Sequence, residues 1–228
     1  MAQPRTPVIP WPPLVLATWG VVLLQAWASG RLHLLLQPDF HGLVLAAGLL
    51  LLLLALAGLR WPSGAGRRRP GSAVAVLLGT AALMLALPPR PSLSTLAANR
   101  GAADPGGDGL TFLLPPEQRT LTDWVRLLRQ QPDPQLWQGE PVRVSGFVLT
   151  QPDEAPSLAR MMVRCCLADA TPISLPVRWP ATAPLPPADR WLAVDGVMGV
   201  ERHRGGDRSI VLARQVRPIP EPARPLEP

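Results

Sequence analysis

Hydrophobic positions follow different rules on the two sides of residue 90. Before it they come in unbroken runs. One spans Trp11 to Ala28 and extends past Arg31 to Leu36. A second spans Leu43 to Leu59 and is uninterrupted from Leu49 to Leu54. A third spans Ala73 to Leu87, where Pro88 and Pro89 stop it. None has a polar face. A helix that is apolar all round is either a buried core helix or a membrane span, and a span needs about 20 residues, range about 17–25. The first two runs meet that length. The third rises about 22 Å at 1.5 Å per residue, and its lack of any charge favours spanning over burial in a core. The pattern predicts helices over 11–36, 40–60 and 72–88 within a transmembrane region of residues 1–90. A secretory signal peptide is the rival reading of the first run, but that run is long for such a segment and a second apolar run follows closely.

Beyond residue 90 the pattern shortens. Residues 91–116, with the stretch AANRGAADPGGDG, read as a linker. Thr120-Leu-Thr-Asp123 then precedes Trp124, Val125, Leu127 and Leu128 at helical spacing, which predicts a short capped amphipathic helix ending before Pro132. Five strand-like stretches follow: Pro141–Leu149, Arg160–Leu167, Ile173–Trp179, Trp191–Val200 and Arg208–Val216. In the second, Met161, Val163, Cys165 and Leu167 share one face, and Arg160, Met162, Arg164 and Cys166 the other. Gly146 and Gly196 each close a V-x-V-x-G or L-x-V-x-G pattern that suits a strand bent at glycine. Residues 117–228 are therefore predicted to form a small OB-like β-barrel or sandwich. The prolines of Pro180–Arg190 leave little room for the helix that OB barrels place before the fourth strand. The fold class is membrane α plus β: two to three N-terminal transmembrane helices followed by this β domain.

Charge sharpens the division. All 22 basic residues are Arg, and charged residues make up only 17% of the chain. Up to residue 92 there are seven Arg and one acid, Asp39; beyond it there are fifteen of each. The whole net charge of +6 thus sits beside the apolar runs, as membrane proteins arrange it. No basic stripe marks the β domain, which excludes a nucleic-acid surface. Arg60, Arg67, Arg68 and Arg69 lie between the second and third runs, and basic short loops stay cytoplasmic. With three spans the chain is a multi-pass protein of the cytoplasmic (inner) membrane with its C-terminal domain in the periplasm or outside the cell. With two, that domain is cytoplasmic. Besides its contact with membrane lipid through the spans, the arginine run has a second reading as an anionic-lipid site.

The two or three N-terminal spans, the loop Leu34–Gly42 between the first two, and above all three later segments carry a resemblance. Arg164-Cys-Cys-Leu-Ala-Asp-Ala170 followed by Pro172, Asp189-Arg-Trp-Leu-Ala-Val-Asp-Gly196 and Gly139–Val148 resemble the YcgQ-like family of bacterial membrane proteins, which has no assigned reaction. The resemblance covers nearly the whole chain and implies the architecture above and a YcgR-like permease as partner. Some relatives have His-rich tracts after a span, whereas this chain has only His33, His41 and His203.

Cys165 and Cys166 are the two thiols. Their Cα atoms lie about 3.8 Å apart across a trans peptide, below the usual disulfide range of about 4.4–6.8 Å, so a bond between them is strained. On a strand, Cys165 enters the core and Cys166 faces the Arg164 side, which makes Cys166 the better ligand or reactive thiol. Three readings stay open: two structural cysteines, a soft-metal site and a redox pair. A tetrahedral zinc-like ion needs further ligands, for which His203 and Asp169 or Asp207 are the candidates. His33 and His41 flank Asp39 between the first two runs and read either as a metal pair or as residues at headgroup level. No catalytic motif is present, and Asp153-Glu154 reads as a solvated turn. The expected function is a membrane-anchored accessory protein of a permease, involved in handling a metal or small solute. The alternatives are a thiol-dependent metal-binding or redox module and an OB-like ligand-binding scaffold without metal.

Overall fold

The computed structural model describes residues 11–61, 71–87, 92–102, 114–152, 154–181 and 184–227. The chain divides into two compact units, residues 1–90 and 91–228. The arginine run Arg67–Arg69, on which the membrane orientation rests, lies outside the described residues.

The first unit contains α1 (Trp11–Ala28), α2 (His41–Arg60) and α3 (Ser72–Ala86). The first two are long and apolar enough to cross a membrane; α3 is shorter, at 15 residues. The expected continuation of the first helix to Leu36 is corrected. Gly30 takes a left-handed φ of 71°, and a short 3-10 turn over Arg31–Leu34 replaces the helix. Glycine adopts that conformation without the Cβ clash other residues meet. α1 and α2 touch at Gly20 and Gly48, where a Cβ on Gly20 would lie 3.0 Å from the Gly48 carbonyl oxygen and 2.9 Å from Leu52. Small residues here let the two backbones approach. Leu43, Leu53, Val76 and Leu83 are all more than half exposed on this unit. Among the described residues, only Leu136 and Leu185 are large exposed hydrophobics outside it. Such a surface suits an apolar surrounding better than water.

The second unit holds a closed five-stranded β-barrel. Its strands are β1 (Pro141–Leu149), β2 (Ser157–Met162), β3 (Thr171–Arg178), β4 (Trp191–His203) and β5 (Gly206–Pro218), with a two-residue β6 (Leu226–Glu227) beside β2. The closed order is β1-β2-β3-β5-β4-β1. All contacts in it are antiparallel except β3 with β5, which run parallel and pair only at Val177 with Val211 and Arg178 with Leu212. β1 serves two neighbours: Pro141–Phe147 pairs with β4, and Phe147–Leu149 pairs with β2. Gly146 sits at that changeover, where a Cβ would lie 2.5 Å from the Ala159 carbonyl oxygen. In β4, the register slips between Asp195 and Gly196, and a Cβ on Gly196 would strike the Leu212 carbonyl. Both glycines thus let a neighbouring backbone approach closely, Gly146 at the changeover and Gly196 at the slip.

Helix α5 (Leu121–Gln130) comes before β1 rather than before β4. Thr120 and Asp123 form a capping box: the Thr120 hydroxyl accepts from the Asp123 N–H at 3.2 Å, and the Asp123 carboxylate accepts from the Thr120 N–H at 2.9 Å. The helix puts Leu121, Trp124, Val125 and Leu127 into the main core with Val142, Leu158, Ile173 and Val194. Arg119 stacks its guanidinium 4.7 Å from the Trp124 ring and bonds Glu140 at 2.5 Å.

A second core lies on the other side of the barrel wall. There α4 (Leu93–Ala98) packs Leu93 and Ala97 against Phe147, Leu149, Met161, Val163 and Ala170. This helix falls within the stretch read from sequence as linker. Its Ser92 side chain accepts from the Thr95 N–H at 3.1 Å as an N-cap, and the Asp189 carboxylate accepts from the Ser92 hydroxyl at 2.5 Å and the Ser94 N–H at 2.6 Å.

Candidate functional site

Strand β2 ends at Met162, five residues earlier than the alternation of apolar positions suggests. Val163 is still buried, but the chain then turns. The cause is Asp169. Its Oδ1 accepts from the Arg164 N–H at 2.9 Å, and its Oδ2 accepts from the N–H groups of Cys165 at 2.8 Å and Cys166 at 3.3 Å. A side-chain carboxylate has taken three donors that a strand would have offered to a neighbour. The Asp169 N–H returns a bond to the Cys166 carbonyl at 3.0 Å. The placement of Cys165 in the core is therefore corrected: Cys165 is exposed and Cys166 half-buried, and both are free thiols.

The two sulfurs lie on the same side of the turn, 3.5 Å apart. Asp169 completes the group, with one ligand atom from each residue within 4.8 Å of the others. Desolvation pushes the Asp169 carboxyl up, but the Cys165 thiol and the three backbone N–H groups outweigh it and hold its pKa at about 2. The Asp169 carboxylate beside the Cys165 thiol, and the Cys166 sulfur to which that thiol donates, push its pKa up to about 12. At neutral pH the turn thus sets a protonated thiol beside a carboxylate anion.

Two supports hold the turn from outside. Ala170 is fully buried, so a larger side chain there would press on the second core. Arg100, just after α4, donates from Nη1 to the Leu167 carbonyl at 3.1 Å and also to the Ala170 carbonyl. Neither Arg100 nor Asp189 is among the candidates read from sequence. The only trace was Ser92-Leu-Ser-Thr95 ahead of an apolar turn, which is an N-cap signature.

The other candidate ligands lie elsewhere. His203 is at the end of β4, with Nε2 4.0 Å from Glu154 Oε1, which also accepts from Arg204 at 3.0 Å. Asp207 pairs across the β4–β5 hairpin with Arg202. His33 and His41 do meet, edge to face with ring centroids 4.5 Å apart, and His41 Nε2 lies 3.2 Å from the Leu36 carbonyl oxygen. Among the described residues Asp39 joins no cluster of three ligand groups with them.

A cleft of about 240 Å³ opens on the barrel between Ser157, Ser174, Pro176, Trp179 and Leu185. Glu201 lies at its edge, bonded to Arg178 at 3.0 Å and to Arg208 at 2.9 Å, and these two guanidiniums hold its carboxyl below the ordinary 4.5.

Residues 117–226 match the DUF1980 C-terminal domain. The DUF1980 match runs from the turn ahead of α5 to β6 and includes Cys165, Cys166 and Asp169, whereas α4 and Arg100 precede it. No curated protein and no solved structure matches the chain.

Proposed function

We propose that this chain is a membrane-anchored accessory protein of a permease, whose OB-like β domain presents the Cys165–Cys166 turn to a soft, zinc-like metal ion. The observation that carries the metal reading is the 3.5 Å between the two sulfurs on a turn that Asp169 pins. Two thiolates on one tetrahedral ion, with metal–sulfur bonds of about 2.3 Å, sit about 3.8 Å apart. A small side-chain rotation covers the difference. The strand order β1-β2-β3-β5-β4-β1, with its parallel β3–β5 contact, supports the OB-like description. The apolar surface of α1–α3 supports the anchor, and the YcgQ-like resemblance supports the permease.

Binding of Zn²⁺ to the full chain in mild detergent tests the metal reading. Wild type should bind, and the Cys165→Ser/Cys166→Ser double variant should not. Because both thiols lie on one side, each single variant should lose most of the affinity, in place of a loss confined to Cys166. Equal binding by wild type and the double variant would overturn the reading. Affinity purification from native membranes should bring down a polytopic permease; recovering none would remove that part of the proposal.

The cleft at Ser157, Ser174 and Trp179 favours a second reading, an OB-like scaffold for a small polar ligand without metal. Hydroxyls, guanidiniums and an indole face in one concavity are the means by which such sites orient a ligand.

A further inference from the structure

Asp169 is the nearest third ligand, yet its carboxylate is already occupied. A carboxylate has about four acceptor positions. The backbone N–H groups of Arg164, Cys165 and Cys166 take three of them. Drawing the carboxylate onto a metal would strip the N–H groups of Arg164, Cys165 and Cys166 of their acceptor and open the turn that brings the sulfurs together. Asp169 is therefore a positioning residue, and the turn supplies two thiolates. Among the described residues no other His, Cys, Asp or Glu joins this cluster. Of the three histidines, His203 faces Glu154, and His33 and His41 face each other.

A structural zinc site closes at four ligands. We infer that a second copy of this chain completes the site, with Cys165 and Cys166 of two copies enclosing one zinc ion across a twofold axis. The inference rests on the metal reading above and adds the source of the other two ligands. The exposure of Cys165 at the outside of the turn makes this approach open. The charge also fits. Four thiols bind one Zn²⁺ and release four protons to solvent, so the resulting centre carries a net charge of −2. The Arg164 side chain is exposed beside each thiol pair, so two copies bring two positive charges to the rim of that centre. A twofold contact of this kind is self-complementary, the same turn meeting itself.

The test is the mass and metal content of the full chain in mild detergent, with ZnCl₂ and with a chelator. The expected result is one zinc per two chains, a doubled protein mass, and return to the monomer on chelation. Cys166→Ser should stay monomeric with zinc. Should that variant fold poorly, Arg164→Glu keeps every thiol and should raise the zinc concentration needed for dimerisation about tenfold, since like charges meet at the contact. One zinc per chain with an unchanged mass would overturn the shared site while leaving the metal reading intact. No zinc bound by wild type would overturn both.

Discussion

Asp169 decides what the two cysteines can do. Without it, Arg164, Cys165 and Cys166 would continue β2 and send the thiols to opposite faces. With it, the chain turns and the sulfurs meet at 3.5 Å. Replacing Asp169 by Ala should therefore cost about 1–2 kcal/mol of β-domain stability, as loss of a comparable capping side chain does. It also removes the main cause of the raised Cys165 pKa of about 12. Alkylation of Cys165 at mildly alkaline pH should then be faster than in wild type. A slower or unchanged alkylation rate would show that the carboxylate does not hold the thiol proton. The sequence displayed Cys-Cys-Leu-Ala-Asp-Ala plainly, yet strand alternation alone placed Cys165 inside. Periodicity reports which face a side chain takes if the strand continues. It does not report a carboxylate four residues on that ends the strand by taking its N–H groups.

At the scale of elements, β1, β3, β4 and β5 form where the strand-like stretches fall, and the first half of β1 buries alternate residues, Val142 and Val144, in the barrel. Helix α5, which leads into the barrel, was equally legible, since its Thr120–Asp123 cap and apolar spacing agree. Two elements were not. The chain around α4 is rich in Gly, Ala and Pro, and α4 is held by Asp189, nearly a hundred residues away, through contacts no local pattern encodes. Likewise, the end of α1 depends on a single left-handed glycine within an otherwise apolar run. The β3–β4–β5 wall carries its own test. Arg178 and Arg208 hold the Glu201 carboxyl below 4.5 in the folded state. A depressed folded pKa gives stability that is present above the unfolded value and is lost as pH falls through the folded one. Wild type should therefore be more stable than Glu201→Gln at neutral pH, and the gap should close in acid below 4.5. Thermal unfolding of both proteins across that range checks it; a gap that stays constant with pH would show that Glu201 is not paired in solution.

For the whole molecule, the division at residue 90 was written in the hydropathy pattern, because unbroken apolar runs and alternating strands bury their side chains in different ways. The compartment of the β domain depends on α3. If Ser72–Ala86 spans, the barrel faces the periplasm or exterior; at 15 residues it needs local thinning of the bilayer or help from its flanks. Alkaline phosphatase fused after Pro228 should be active and green fluorescent protein dark; the reverse pattern would put the barrel and its thiols in the cytoplasm. The central claim, however, is that Cys165 and Cys166 bind metal through sulfur. X-ray absorption at the zinc edge of the loaded full chain tests it most directly. The account predicts a first shell dominated by sulfur at about 2.3 Å that disappears in the Cys165→Ser/Cys166→Ser variant, whereas a shell of nitrogen and oxygen alone in wild type would contradict it.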